Sequence, residues 1–177
     1  MRVLYSEAEI AARVKALGAE ITERHRGRSI LLVPVLKGSF VFAADLARAI
    51  DLDARVDFLG VRSYGARTTT SGVVATTLDL SHPIEGEHVI VVEDIVDTGL
   101  TMKFLLDRLS AQKPKSLELA ALLHKPDRTR VEVPIDYLGF TIPDVFVVGY
   151  GLDADERFRN LPHLAAIDDG DAIEDAE

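Results

Sequence analysis

The sequence predicts an α/β domain built on a largely parallel sheet. Short, continuous apolar runs at residues 30–36, 89–92 and 117–123 read as strands buried on both faces. Segments with helical spacing alternate with them through residues 30–123, the pattern of an α/β layer structure. The chain has 177 residues, 47% of them hydrophobic, which is enough for one domain to bury a core without disulfide or metal staples.

Ser6 and Glu9 form a capping-box pair, and Ile10, Val14, Leu17 and Ile21 follow at helical spacing. Cations at Arg24 and Arg26 and then Gly27 end that helix. The strand Ile30–Leu36 comes next, with Pro34 arguing against a central position because it has no N–H for a ladder. Ser39 is placed to cap a second helix whose inward residues are expected at Phe40, Ala43, Ala44, Ala47 and Ile50. Val56–Val61 reads as one strand, 64–72 as a small, polar, mobile loop, Val73–Leu78 as a strand and 81–86 as a turn. After the strand Val89–Val92, a helix over Met102–Ala111 should turn Phe104, Leu105 and Leu109 inward. Leu117–Leu123, Asp136–Phe140 and Val145–Val148 complete the strands. Ligands of open parallel sheets bind beyond the C-terminal strand ends, which directs attention to the loops after residues 36, 92 and 123.

The formal net charge is −9, which argues against broad electrostatic binding to nucleic acid or an anionic membrane. Six of those negative charges lie in residues 168–177, which contain no cation. That segment reads as an acidic, disordered tail following a domain at 1–167. The chain has no Cys, which excludes disulfides, thiolate metal sites and cysteine nucleophiles. No apolar run reaches the roughly 18 residues of a membrane helix, and the start lacks the apolar stretch of a signal peptide, so a cytoplasmic protein is expected. The five His show no metal-ligand spacing and read as structural or solvated.

The strand Val89–Val92 runs into Glu93-Asp94-Ile95-Val96-Asp97-Thr98-Gly99-Leu100-Thr101, where a helix begins. Strand, short polar loop with Gly, then helix N-terminus is anion-binding geometry: free N–H groups point outward and Gly99 lets the backbone approach a phosphate. Neither a Walker loop nor a dinucleotide fingerprint is present. Glu93 and Asp94 would repel a bare phosphate. They make sense if they bind hydroxyls or a hard cation one sugar-length away, the layout of a phosphorylated ribose.

This segment resembles the phosphoribosyl-pyrophosphate motif of type I phosphoribosyltransferases. Leu36-Lys37-Gly38, Ser63-Tyr64, Lys125, and the run from Asp144 to Asp153 followed by Arg159 are similar in order and spacing to the hypoxanthine-guanine members of that family. The resemblance spans residues 3–167. It implies a parallel-sheet core, a small hood from the chain ends, Mg²⁺ as cofactor, a homodimer or homotetramer, and purine salvage that forms IMP and GMP. Residue by residue, it implies Asp97 as general acid/base at the purine imidazole nitrogen. The loop of Asp97, Thr98, Gly99, Leu100 and Thr101 would hold the 5-phosphate. Glu93 and Asp94 would take the ribose hydroxyls and Mg²⁺, with Asp153 as a further metal-site acid near the purine. Lys37, Gly38 and Arg159 would meet pyrophosphate, through a non-proline cis peptide in the first case. Ser63 and Tyr64 would open a lid, to which Arg67 adds charge. Lys125 would donate to the purine 6-oxo group, Phe146 would stack on the base, and the Val147 backbone would read its edge. Asp155, Glu156 and Arg157 read as hood surface. Leu100 stands where many relatives carry a polar residue, and Thr76–Asp79 lacks a Lys often found nearby.

Two other classes are weighed against this one. A regulator that keeps the phosphoribosyl-pyrophosphate site but binds nucleic acid needs a basic face, which the acidic balance opposes. A transferase for another base needs a different hood, and Lys125 with Phe146-Val147 argues against a pyrimidine. Within the purine reading, the order of hypoxanthine, guanine and xanthine is left open.

Overall fold

The computed structural model describes residues 1–64 and 73–167, with only the backbone at Ser63, Tyr64, Val73 and Val74. Of the lid expected to open at Ser63 and Tyr64, those two residues end a strand, while 65–72, Arg67 included, and the acidic tail at 168–177 lie outside the described residues.

The elements are β1 (Arg2–Tyr5), α1 (Glu7–Arg24), β2 (Ile30–Leu36), α2 (Phe40–Ala49), β3 (Ala54–Val56), β4 (Leu59–Tyr64), β5 (Val73–Leu78), β6 (His88–Val96), α3 (Leu100–Ser110), β7 (Ser116–His124), β8 (Tyr137–Thr141), β9 (Phe146–Val148) and β10 (Leu164–Ile167). The main sheet has the order β5-β4-β2-β6-β7-β8, with β3 also on β2. All its pairings are parallel except β4 with β5. Both faces are covered, which is why its strands read as unbroken apolar runs. Ile30, Leu32, Ile90, Val92, Ala120 and Leu122 face α1 and α2. Their neighbours Leu31, Val33, Val89, Val91, Leu119 and Ala121 face Met102, Leu105 and Leu109 of α3.

Helix α1 begins as its sequence dictates. Glu9 N–H donates to Ser6 Oγ at 3.3 Å and Ser6 N–H donates to Glu9 Oε2 at 2.8 Å. Ile10, Val14, Leu17 and Ile21 are all buried.

Six local expectations are corrected. The stretch 56–61 is two strands, β3 and β4, parted at Asp57-Phe58. There the Asp57 carboxylate accepts from the backbone of Phe58 and Ser81. The break also answers Pro34. Ile30 N–H and Leu32 C=O bond toward β3 and Asp57, so on strand alternation Pro34 faces the gap between β3 and β4, where no donor is needed. Ser39 does not cap α2; buried, it donates its hydroxyl to Val35 O at 2.7 Å. The inner face of α2 is Phe42, Ala43 and Leu46, with Ile50 buried just after it, while Phe40 and Ala44 are exposed. In α3, Met102 takes the inward place expected of Phe104. In both helices the face is set by the residues three and four apart that meet the sheet, so an aromatic off that row, Phe40 or Phe104, stays outside. Lastly, β6 continues to Val96, held by pairs from Glu93↔Ala121 to Val96↔His124. Glu93 and Asp94 are therefore strand residues, and the site loops follow residues 36, 96 and 124.

A second, antiparallel sheet of order β1-β10-β9 joins the two ends of the described chain, with Ala166 between Arg2 and Val147. Neither β1 nor β10 carries a pattern long enough to read as a strand. The inward residues Val147 and Leu164 extend the core beneath α1 and α2. Among the described residues, no helix is long and apolar enough to cross a membrane.

Candidate active site

Two adjoining clefts open at the C-terminal ends of the parallel strands, where ligands of such sheets bind. The first, of ≈ 230 Å³, is lined by the β2 end (Lys37, Gly38), the β6 end (Glu93, Asp94) and the loop Asp97–Gly99 with Thr101. The second, of ≈ 480 Å³, shares Lys37, Gly38 and Asp94 and adds Asp153, Glu156 and Arg159.

The loop from β6 to α3 has the form its sequence implies. Gly99 sits at the helix N-cap with φ +82°, a left-handed conformation costly for other residues. A Cβ there would stand 1.9 Å from Val131 O. The first turn of α3 carries no acidic side chain, so its free N–H groups are open to an anion. Leu100 is 44% exposed, a surface position outside the core.

The β2–α2 turn is equally tight. The Leu36–Lys37 peptide is cis. Gly38 packs against Asp94 so closely that a Cβ would fall 1.6 Å from Oδ2. Asp94 Oδ1 accepts from the Ile95 N–H at 2.8 Å. Beside it, Glu93 Oε2 is shut off from solvent and has no hydrogen-bond partner. Burial first, and the neighbouring Asp94 charge second, push the Glu93 carboxyl well above its ordinary range. A buried, orphaned carboxylate oxygen next to a second carboxylate suits a hard cation. Asp153 does not join this pair: among the described residues, no three acidic or His side chains come together as a metal cluster. Asp153 lines the second cleft, ion-paired with Arg159 at 2.8 Å.

Arg159 donates Nη1 to Gly151 O at 2.9 Å, while its buried Nε has no partner. Glu156, expected as plain hood surface, is in fact part of the second cleft. It accepts from Lys37 Nζ at 2.9 Å and lies 3.4 Å from Arg159 Nη2.

Lys125 is buried at the β7 end, its N–H bonded to Val96 O at 3.0 Å and its Nζ 3.4 Å from Asp144 Oδ1. Phe146 is 56% exposed and so is no core aromatic, whereas Val147 is buried. Asp97 accepts from Arg128 Nε at 3.1 Å.

A family model for the phosphoribosyl transferase domain matches residues 3–155. The chain belongs to the phosphoribosyltransferase family. It is 46% identical over 169 residues to the hypoxanthine-guanine phosphoribosyltransferase of Dictyostelium discoideum, covering 93% of this chain and 94% of that protein. It is 44% identical to the hypoxanthine phosphoribosyltransferase of Escherichia coli K12, covering 94% and 95%. The crystal structure of a Bacillus anthracis hypoxanthine-guanine phosphoribosyltransferase superposes with a TM-score of 0.91 at 46% identity, over 95% of this chain and 99% of that one.

For this phosphoribosyltransferase, sequence reasoning and geometry agree on a common location for Lys37, Gly38, Glu93, Asp94, Asp97, Thr98, Gly99 and Thr101. Asp153 and Arg159 reach the same region from the hood side. Three polar residues were not singled out: Arg128, Asp144 as a partner of Lys125, and Glu156. Each is a charged residue in a loop, and only the fold brings it to the site.

Proposed function

We propose that this chain transfers the 5-phosphoribosyl group from 5-phosphoribosyl 1-pyrophosphate to hypoxanthine or guanine, releasing pyrophosphate and forming IMP or GMP, with Mg²⁺ as cofactor. The observation that carries this reading is the pairing, in one cleft, of the acid-free N-terminus of α3 with the Glu93–Asp94 carboxylates. One end suits a phosphate and the other suits hydroxyls and a cation, one sugar-length apart.

In this reading the 5-phosphate rests on the backbone of Asp97–Thr101. Asp94 and Glu93 hold the ribose hydroxyls and, directly or through water, Mg²⁺, which when bound supplies charge neutralisation for the leaving pyrophosphate. The unpartnered Glu93 Oε2 supports that assignment. Lys37, the backbone at Gly38, and Arg159 with its free Nε receive pyrophosphate, for which a planar fork suits oxygen pairs. As the bond from the anomeric carbon to pyrophosphate oxygen breaks, that carbon gains oxocarbenium character and a purine nitrogen bonds to it. The proton on the purine imidazole passes to Asp97. Lys125 donates to the 6-oxo group, which disfavours adenine because its 6-amino group would leave the ammonium unpaired. Phe146, exposed beside Asp144, offers its face to the base.

The same proposal includes a cytoplasmic location, a domain at 1–167 and a homodimer or homotetramer. The Trypanosoma cruzi hypoxanthine phosphoribosyl transferase, similar at TM-score 0.89, was solved to address how its C-terminal region affects oligomeric state and activity.

A base panel tests the reading. With Mg²⁺ and phosphoribosyl pyrophosphate, hypoxanthine and guanine should yield nucleotide, adenine should not, and chelation of Mg²⁺ should stop turnover. Folded protein that makes no nucleotide from any 6-oxopurine overturns it, and adenine as the best substrate overturns the role of Lys125.

A further inference from the structure

Four side chains of alternating charge run in a line along the base side of the site. Lys125 Nζ stands 3.4 Å from Asp144 Oδ1, and Asp144 Oδ2 stands 3.7 Å from Arg128 Nη1. Arg128 Nε in turn donates to Asp97 Oδ1 at 3.1 Å. The two ends of the line are the residues assigned to the purine 6-oxo group and to the purine imidazole proton. The middle two, Asp144 and Arg128, have no assigned role.

The backbone beneath the line is fixed. Lys125 N–H bonds to Val96 O, and Arg130 and Val131 N–H both bond to Thr98 O, each at 3.0 Å. The short turn Pro126–Arg128 closes with Arg128 N–H on Lys125 O at 3.1 Å. The loop after β7 is thus fastened to the loop after β6, and Arg128 projects from the fastened turn. Stability does not explain the ion pairs. Arg128, Asp97 and Asp144 side chains are 45%, 39% and 50% exposed, and pairs that exposed contribute little to folding. Geometry offers a reason. A guanidinium is a rigid fork that meets two carboxylates at once. Holding Asp97 by Oδ1 leaves its other oxygen to the substrate, and drawing on Asp144 fixes the anchor of a long, flexible Lys.

We propose that Arg128 is a positioning residue that, with Asp144, sets the two purine-facing groups Asp97 and Lys125 at a fixed separation, so that a 6-oxopurine meets both at once. This inference rests on the transferase reading above and names the residues that tune its base subsite.

The test is steady-state kinetics of Arg128→Gln, Arg128→Lys, Asp144→Asn and the double variant Arg128→Gln/Asp144→Asn, with hypoxanthine and phosphoribosyl pyrophosphate varied in turn. Arg128→Gln should lower kcat by about tenfold or more, since small misplacement of a reacting group is costly. Its KM for phosphoribosyl pyrophosphate should stay within about threefold, because the line does not touch the phosphate loop's free N–H groups. Asp144→Asn should act chiefly through the KM for the base. Arg128→Lys should recover part of the lost kcat through one ion pair. The double variant should lose less than the product of the single losses, as coupled residues do. Wild-type kcat and base KM in both Arg128→Gln and Asp144→Asn, or fully multiplicative losses, would overturn the inference while leaving the transferase reading intact. An inactive wild-type protein would overturn both. Equal thermal midpoints of the variants and wild type support positioning, and a collapse of the fold in Arg128→Lys as well as Arg128→Gln counts against it.

Discussion

Asp97 and Gly38 carry opposite kinds of constraint. Asp97 is, in the proposed reaction, the group that exchanges a proton, whereas Gly38 is a place where no atom fits. For Asp97→Asn, the carboxylate proposed to accept the purine proton is lost while the loop Asp97–Thr101 keeps its backbone. The expected outcome is a kcat lower by about 100-fold, with calorimetric binding of phosphoribosyl pyrophosphate nearly unchanged. For Gly38→Ala, the new methyl group meets Asp94 Oδ2 at 1.6 Å and must push either that carboxylate or the Lys37 turn aside. Both sit in the cleft, so this variant should weaken binding of phosphoribosyl pyrophosphate, by about tenfold, with little change in thermal midpoint. The two variants together separate a group that does chemistry from a vacancy that shapes the site.

At the scale of elements, the site is made by the loops after β2, β6 and β7, and the parallel sheet puts all three at one edge. The β6–α3 loop depends on Gly99, and Gly99→Ala adds both a left-handed non-glycine residue and a contact with Val131 O. It should cost about 1–3 kcal/mol in denaturant unfolding and raise the KM for phosphoribosyl pyrophosphate. Much of this layer was legible in the sequence, because local signals and tertiary demands coincide. The capping box at Ser6 and Glu9, the apolar runs of β2, β6 and β7, and the loop at 97–101 all state their structure locally. Other features were not legible. Which face of α2 points inward depends on how it lies against the sheet, so of two equally large residues Phe42 turns inward and Phe40 misleads. The end of β6 was set too early because Glu93 and Asp94 look like loop residues. A neighbouring strand, β7, pairs with them and keeps them extended. Arg128 and Glu156 could not be found because their partners lie about 31 and 119 positions away in sequence.

Across the whole molecule, the far end of the sheet holds a second polar centre with a structural task. Glu118 is buried at the start of β7, accepting from Tyr137 Oη at 2.6 Å and from His25 Nε2 at 3.0 Å, with Arg24 Nε 3.4 Å away. Burial pushes the Glu118 carboxyl up, but the hydrogen bonds from Tyr137 and His25 and the Arg24 charge outweigh it and hold the group below its ordinary value of 4.5. A carboxyl so depressed stabilises the fold fully above about pH 4.5 and loses that contribution as pH falls through its native value. Glu118→Gln should therefore lower unfolding free energy by about 2 kcal/mol at pH 7 and flatten the acid limb of stability, as urea titrations across pH would read. At this same scale, the pairing of β1 with β10 has a consequence for biosynthesis. Residues 2–5 are made well before residues 164–167 and have no strand to join until those follow. The main sheet, from β2 to β8, needs neither and can assemble while translation continues. A nascent chain therefore carries the strands that line the first cleft before it has the segment around Asp153 and Arg159. Strand β1 must wait, unpaired, for β10. Pulse-labelled hydrogen exchange should find the amides of Val3 and Tyr5 among the last to gain protection.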